Sequence, residues 1–567
     1  MRPLRKLGAG CLMILLALAA FGGGAHAAVE EAIPRDAFLV VKARNGYRHY
    51  RRFVDSPLFA RLKDGETFPE LAAGIEQVGA TVQQLERQHG VEIERDLADI
   101  FGGEVALAVF PDETGALVAE ARSAEAVRRS VDELVRLAEA TDPNFTLTAE
   151  SYRGVDLRAG PQPNWHAVVG ARFVISENQQ AVKRVIDAIQ GRSDALAQSA
   201  EYGRAAALAP DNALLTAFLD TEALRPLARA LRSGGPGGPA GLGRLRLAEI
   251  LPLTDYVVGS VTADQVLTVR WSLVFKGDRL PNAMSAVLPE AGARLTALRL
   301  APPSTALLAA RAFDPQGLWD TTLEMLLQAE PEGAERLQEG LDRVVSVVGG
   351  VHSKQQFFDE LGGQAALFGL PAGQGEELPA AALAVELEDT RHIPVAVETL
   401  AGTALMAAAM EKGGPSLAMT TSRYKGTVLK TVRIKEDAPW AQMTPTFGVV
   451  GDQLIFTTSE SAARRMIDAA GASGADAATG ADAATGQGTR FSELRLSIEP
   501  LRRILRRHRD FLVRHAINER GKTRAQAVAD AEKLDSLLSL LRRVEFSAEF
   551  SSGRTDHELQ FVPAPAG

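Results

Sequence analysis

Alternating apolar and polar positions, punctuated by Gly, Pro and Asn, mark much of the chain as short strands and hairpins. Apolar runs at Phe38–Val41 and Ala306–Ala310 read as strands, as do Ala116–Ala121 and Ala381–Glu386. Apolar spacing of three and four predicts helices over about 68–89, 124–138, 331–348 and 391–411. Hairpins are expected to turn at Gly154, Gly170, Gly426 and Gly451, since glycine takes positive φ without steric cost. Ser176 and Gln179 have the spacing of a capping box at a helix start. Further helices begin at Asp220 and Ser497, and closing hairpins span about 256–275 and 543–562. Strand pairs without regular βαβ alternation predict an α+β fold of mainly antiparallel sheets, with helices packed on one face.

The pattern occurs twice. Leu97-Ala-Asp-Ile-Phe-Gly-Gly-Glu-Val-Ala-Leu-Ala-Val-Phe-Pro111 is followed, 260 positions later, by Phe357-Phe-Asp-Glu-Leu-Gly-Gly-Gln-Ala-Ala-Leu-Phe-Gly-Leu-Pro371. Tyr152-Arg-Gly154 recurs as Tyr424-Lys-Gly426, and Gly170-Ala-Arg-Phe-Val-Ile-Ser as Gly451-Asp-Gln-Leu-Ile-Phe-Thr. The order is kept, which predicts two tandem copies of one domain, 28–290 and 291–567. Gly103 should then correspond to Gly363, and Gly170 to Gly451. A Gly/Pro-rich stretch at 233–243 and a low-complexity stretch at 473–489 read as exposed flexible loops.

The first 27 residues read as an address. Arg2, Arg5 and Lys6 precede an apolar run from Cys11 to Phe21, and Ala25-His26-Ala27 supplies a cleavage box. Cleavage after Ala27 removes the only cysteine, leaving neither disulfide nor thiolate chemistry. It also removes three cations, moving the formal charge from −9 to −12. The alternative is an uncleaved membrane anchor.

Composition is that of an ordinary globular chain, 46% apolar and 23% charged over 567 residues. Net negative charge argues against nucleic acid as a partner. Gly521-Lys522-Thr523 lacks the first glycine of a phosphate loop, since position 516 is Ala516, and reads as a turn between helices. Ser422-Arg-Tyr-Lys425 has a Ser-x-x-Lys spacing, but in a strand such residues point to opposite faces. Asp99 and Asp359 occupy matching positions and are expected to brace the Gly-Gly turn. No catalytic residue, cofactor or metal site is assigned.

Two features suggest contacts. Leu501–Arg524 carries nine basic and two acidic residues, a local charge of +7. Its apolar positions fall at helical spacing, so the arginines are expected on an outer face. Arg502, Arg503, Arg506 and Arg507 are the candidates for docking an envelope protein or an anionic membrane or polymer surface. Their replacement by Gln is expected to leave the melting temperature nearly unchanged. Trp165 and Trp440, each after a proline-containing stretch, are read as matched loop tryptophans.

The Pro-x-x-Ala opening, the Asp-x-x-Gly-Gly-x-x-Ala-Leu strand, the Tyr-x-Gly hairpin and the Val-Gly hairpin entering a helix resemble an exported bacterial family, domain of unknown function number 3352. That resemblance implies an envelope protein and carries over no catalytic residue. The expectation is a non-enzymatic periplasmic binding or scaffold protein. The alternatives are a carrier of an apolar, lipid-like ligand, suggested by the apolar helix 400–411, and a hydrolase with a site assembled in space.

Overall fold

A computed structural model describes residues 29–44, 69–142, 145–161, 164–225, 250–263, 266–278, 288–289, 295–329, 331–347, 354–374, 376, 378–410, 417–434, 443–480, 489–551 and 553–564. The chain divides into two compact units. Unit 1 comprises residues 1–227, 254–274 and 566–567, and unit 2 comprises 228–253 and 275–565.

Unit 1 opens with a buried 3-10 turn, Val29–Glu31, followed by β1 (Leu39–Ala43), α1 (Pro69–His89) and α2 (Ile93–Ile100). Next come β2 (Val105–Val109), β3 (Gly115–Glu120), α3 (Ala124–Thr141), β4 (Thr148–Tyr152), β5 (Val155–Ala159), β6 (Trp165–Val169) and β7 (Arg172–Ser176). The unit ends with α4 (Gln179–Ile189), α5 (Ala200–Ala206), β8 (Leu215–Asp220), β9 (Thr254–Ala263) and β10 (Leu267–Phe275). Its sheet runs β10–β9–β8–β1–β2–β3–β7–β6–β5–β4, and the pairs from β9 to β4 are antiparallel.

Unit 2 contains the 3-10 turn Thr296–Leu300, β11 (Leu307–Ala312), α6 (Pro315–Ala329), α7 (Pro331–Val347) and α8 (Lys354–Glu360). These lead to β12 (Leu361–Leu370), β13 (Ala380–Leu387), α9 (Ile393–Met410), β14 (Leu417–Tyr424), β15 (Thr427–Ile434), β16 (Thr446–Val450) and β17 (Gln453–Thr457). Then follow α10 (Glu460–Gly480), β18 (Thr489–Ser497), α11 (Ile498–Arg507), α12 (Arg509–Arg520), α13 (Arg524–Ser539), β19 (Leu541–Ser551) and β20 (Arg554–Pro563). The sheet order is β20–β19–β18–β11–β12–β13–β17–β16–β15–β14, antiparallel throughout.

The tight hairpins follow from local chemistry. Arg153 and Gly154 both have positive φ, 53° and 78°, as do Lys425 and Gly426, 46° and 86°. A two-residue turn of that hand matches the twist of the strands it joins. Gly103 is required for a different reason. A Cβ there would lie 2.4 Å from the Glu120 carbonyl oxygen, so the Gly-Gly motif marks a close backbone approach. Asp99 is buried beside it and pairs with Arg129 (2.5 Å) and Arg122 (3.6 Å), bracing α2 against α3.

Helices pack against both faces of each sheet, which corrects the expectation of one helical face. Consecutive residues show it: Val118 and Val174 join a core with Val182, Val185 and Ile186 of α4. Their neighbours Ala119 and Phe173 join a second core with Val127 and Val131 of α3. In unit 2, Ile455 packs with Met466 of α10, while Leu454 packs with Ile393 of α9. Strands apolar on successive positions have no polar face to leave in water. Each fully buried Leu, Ile or Val side chain contributes about 1.5–3 kcal/mol.

Three local expectations also change. The α4 cap is Asn178, whose side chain accepts the Gln180 and Ala181 N–H groups. Ser176 instead takes the Asn178 N–H and donates to the Gly115 carbonyl. The low-complexity tract is partly helical, because α10 runs to Gly480; its alanines have the highest helix propensity. Residues 481–488 and the stretch 233–243 lie outside the described residues. Finally, α9 is neither wholly buried nor enclosed: Ile393 and Ala396 are buried while Val395 and Leu400 are exposed.

Candidate interaction surface

The basic segment forms a helical layer in unit 2, between β18 and β19. It is not one helix. A break at His508 separates α11 from α12. Gly521, at φ 61°, ends α12 in the left-handed conformation. Thr523 and Gln526 then form a capping box that starts α13. Gly521-Lys522-Thr523 is therefore a helix–helix turn.

The expected outer face of arginines is divided. Arg502 is only 17% exposed and grips Asp535 of α13 with two hydrogen bonds, 2.9 and 3.1 Å. Arg506 adds a bond of 2.8 Å to the same carboxylate. The hydrogen bonds from Arg502 and then Arg506 outweigh partial burial and draw the Asp535 carboxyl down to about 2. Arg509 pairs with Glu532 at 2.5 Å, and Lys522 with Asp530. Arg507 donates to the Glu376 carbonyl at 2.7 Å. Arg503, Arg514 and Arg524 are exposed and have no acidic partner among the described residues. Phe511 is 62% exposed, and its ring stacks on His515 at 6.4 Å. Phe511, Arg514, His515 and Asn518 lie three to four residues apart and form the outer face of α12. The cations were legible in the sequence, whereas Phe511, one of the apolar residues of Leu501–Arg524 expected to face inward, is exposed.

Trp165 is not in a loop. It opens strand β6 opposite Ser176, half-buried against the main core of unit 1. Trp440 lies outside the described residues. Ser422 and Lys425 are engaged separately: Ser422 donates to Glu460, and Lys425 pairs with Asp468 at 2.6 Å.

A second arrangement, in unit 1, was not foreseen. Lys42, almost wholly buried in the otherwise apolar β1, pairs with buried Glu30. Tyr202 of α5 donates to the same Glu30 oxygen at 2.8 Å. Burial pushes the Glu30 carboxyl up, but the Lys42 ammonium and these hydrogen bonds more than offset it and hold it below the usual carboxylate range. Burial, reinforced by Glu30, pushes the Tyr202 phenol up. Glu104 receives Arg44 at 3.1 Å, Lys42 at 3.9 Å and the Val29 N–H at 3.4 Å. Arg172 bridges Glu31 (3.1 Å) and Glu120 (3.3 Å). A cavity of about 20 Å³ beside Lys42, Arg44 and Tyr202 has room for about one water. The one sequence signal was a lysine inside Leu39-Val-Val-Lys-Ala43. Its nearer partner Glu30 lies 12 positions away, and Tyr202, which shares that Glu30 oxygen, lies 172 positions from Glu30.

Unit 2 also exposes apolar sheet surface. Directly opposed residues form a row on one face, from Phe447 and Phe456 through Leu383, Leu367 and Ala309 to Leu494. In its middle, Leu367 is 45% and Leu383 40% exposed. Among the described residues no helix is long and apolar enough to cross a membrane, and no cluster of His, Cys, Asp or Glu has metal-holding geometry.

The model of a family described as "Protein of unknown function (DUF3352)" matches residues 76–400. No curated protein matches the chain. A solved structure titled "Structure of crystal form IV of TP0453" is similar at 9% identity over 43% of this chain and 79% of its own. Its TM-score of 0.23 is too low to argue from.

Proposed function

Because the chain belongs to the DUF3352 family of proteins of unknown function, its role has to be argued from its own surfaces, and we propose a non-enzymatic binding protein of the bacterial cell envelope. In this reading it is exported by cleavage after Ala27 and built from two copies of one domain. The duplication is supported by the strand orders of the two units, which correspond position by position once β1–β10 are matched to β11–β20. Shared registers support it further: Val40 faces Ala108, and Leu308 faces Phe368.

The observation that carries the binding role is the outer face of α12. An exposed aromatic ring beside an arginine and a histidine, with Arg503 and Arg524 also lacking carboxylate partners among the described residues, suits an anionic lipid surface. Amphipathic helices that lie on membranes combine apolar and cationic side chains in this way. The docking cations are then Arg503 and Arg514, while Arg502 and Arg506 mainly hold α13. Retention of the purified protein on envelope fractions at low and high salt tests this. The Phe511→Ser, Arg503→Gln, Arg514→Gln triple variant should lose the salt-sensitive retention. Unchanged retention would remove α12 from the account.

The exposed Leu367–Leu383 row favours a second reading, a carrier of apolar ligands. Its row of six strands, at ~4.8 Å per strand, is about as long as an extended acyl chain. Leu383→Gln should then weaken binding of a fluorescent fatty acid without affecting envelope retention.

A further inference from the structure

We infer that the ion cluster of unit 1 is a socket for a primary ammonium, and that the ammonium it takes is the α-amino group of Ala28, freed by cleavage after Ala27. The inference rests on the export reading above and adds a structural role for the processed terminus.

Four observations lead there. Val29 is fully buried, and its N–H is held by Glu104. Covalent geometry puts the Ala28 nitrogen within ~4 Å of the Val29 nitrogen, so a new terminus at Ala28 lies beside these carboxylates. Second, carboxylates gather around this point: Glu30 and Glu104 both reach Lys42, Glu104 also takes Arg44, and Glu31 and Glu120 share Arg172. A cation placed beside several carboxylates is favoured in its charged form. Third, Glu30 is 6% exposed, and its Oε2 is buried without a hydrogen-bond partner. An unpartnered buried carboxylate oxygen costs stability, and an ammonium brings three donors.

Fourth, the corresponding place in unit 2 is filled. There the Ala297 N–H bonds to Gln364 at 3.0 Å, as Val29 does to Glu104. The residue before it, Thr296, places its hydroxyl at the centre of the polar group. It donates to Glu386 at 3.1 Å and accepts from Gln364 at 2.9 Å and Gln453 at 3.2 Å. The residue before Val29 is Ala28, whose methyl side chain has no donor. A terminal ammonium supplies three donors and a positive charge at that point. Before cleavage the same nitrogen is a neutral amide with one N–H, so processing itself completes the cluster.

The pH signature has a definite sign. An α-amino group of ordinary pKa ~8 that gains carboxylate partners has its pKa raised by folding. Its stabilisation is fully present below pH ~8 and is lost as pH rises through the folded value. The facing groups are Glu30, Glu31, Glu104 and Glu120, with Lys42, Arg44, Arg172 and Tyr202 behind them.

The test compares the full mature chain beginning at Ala28 with the same chain carrying Gly-Ser before Ala28. The Ala28 form should melt ~2–5 °C higher at pH 7, and the gap should close by pH ~10. Its α-amine should also react with an N-hydroxysuccinimide ester at least tenfold more slowly than in urea, read by mass spectrometry. Glu104→Gln should narrow the gap and speed the labelling. Equal melting at every pH, or labelling at the unfolded rate, overturns the socket while export and envelope retention stand. A native N-terminus elsewhere than Ala28 overturns the socket and the cleavage reading together.

Discussion

Asp535→Asn isolates the brace that divides the basic layer. Asp535 is 28% exposed and takes both oxygens' worth of hydrogen bonds from Arg502, with Arg506 added. A carboxyl at about 2 when folded and ~3.9 when unfolded sets an upper limit of about 2.6 kcal/mol at pH 7. Arg506 is exposed, and solvent screening reduces its share, so we expect a loss of about 1–2 kcal/mol. Because folding lowers this pKa, the contribution is present above pH ~4 and fades as pH falls toward 2. Urea unfolding of wild type, Asp535→Asn, Arg502→Gln and the double variant at pH 7 and pH 3 measures it. The cycle should give a coupling of at least ~0.5 kcal/mol at pH 7, shrinking at pH 3. It follows that replacing Arg502, Arg503, Arg506 and Arg507 together lowers the melting temperature, contrary to what the sequence suggested. If Asp535→Asn is neutral and uncoupled at pH 7, the brace is a surface contact without consequence.

Other changes probe the same structure. Gly103→Ala forces a Cβ to within 2.4 Å of the Glu120 carbonyl and should destabilise unit 1 by ~2 kcal/mol or more, seen in thermal unfolding. Tyr202→Phe removes a hydrogen bond to a buried carboxylate and should cost about 1.5–3 kcal/mol, while Tyr152→Phe, at a partly exposed bond to Asp187, should cost less.

Local chemistry was legible wherever a single segment decides the outcome. The strand alternation, the Tyr-Arg-Gly and Tyr-Lys-Gly turns and helices such as 331–347 follow from period and glycine placement alone. What escaped required distant segments to meet. The acid that Arg502 and Arg506 share, Asp535, sits on a later helix, so a local charge count of +7 overstated the exposed charge. Glu30, Glu104 and Tyr202 look unremarkable in sequence and join Lys42 only through the sheet and α5. Asn178 displaced Ser176 as a cap because Ser176 ends β7 and bonds across to β3. Phe511 had the spacing of a core residue, but the break at His508 changes the face that α12 presents.

The central claim is that α12 docks the protein on an anionic surface, and flotation with defined vesicles tests it most directly. Mature protein would be mixed with vesicles of phosphatidylcholine alone or with added phosphatidylglycerol, at low and at high salt. The account predicts flotation with the anionic vesicles only, weakened by salt and abolished by Phe511→Ser with Arg514→Gln at unchanged melting temperature. Equal partition of wild type and variant, or no preference for anionic vesicles at low salt, would contradict it.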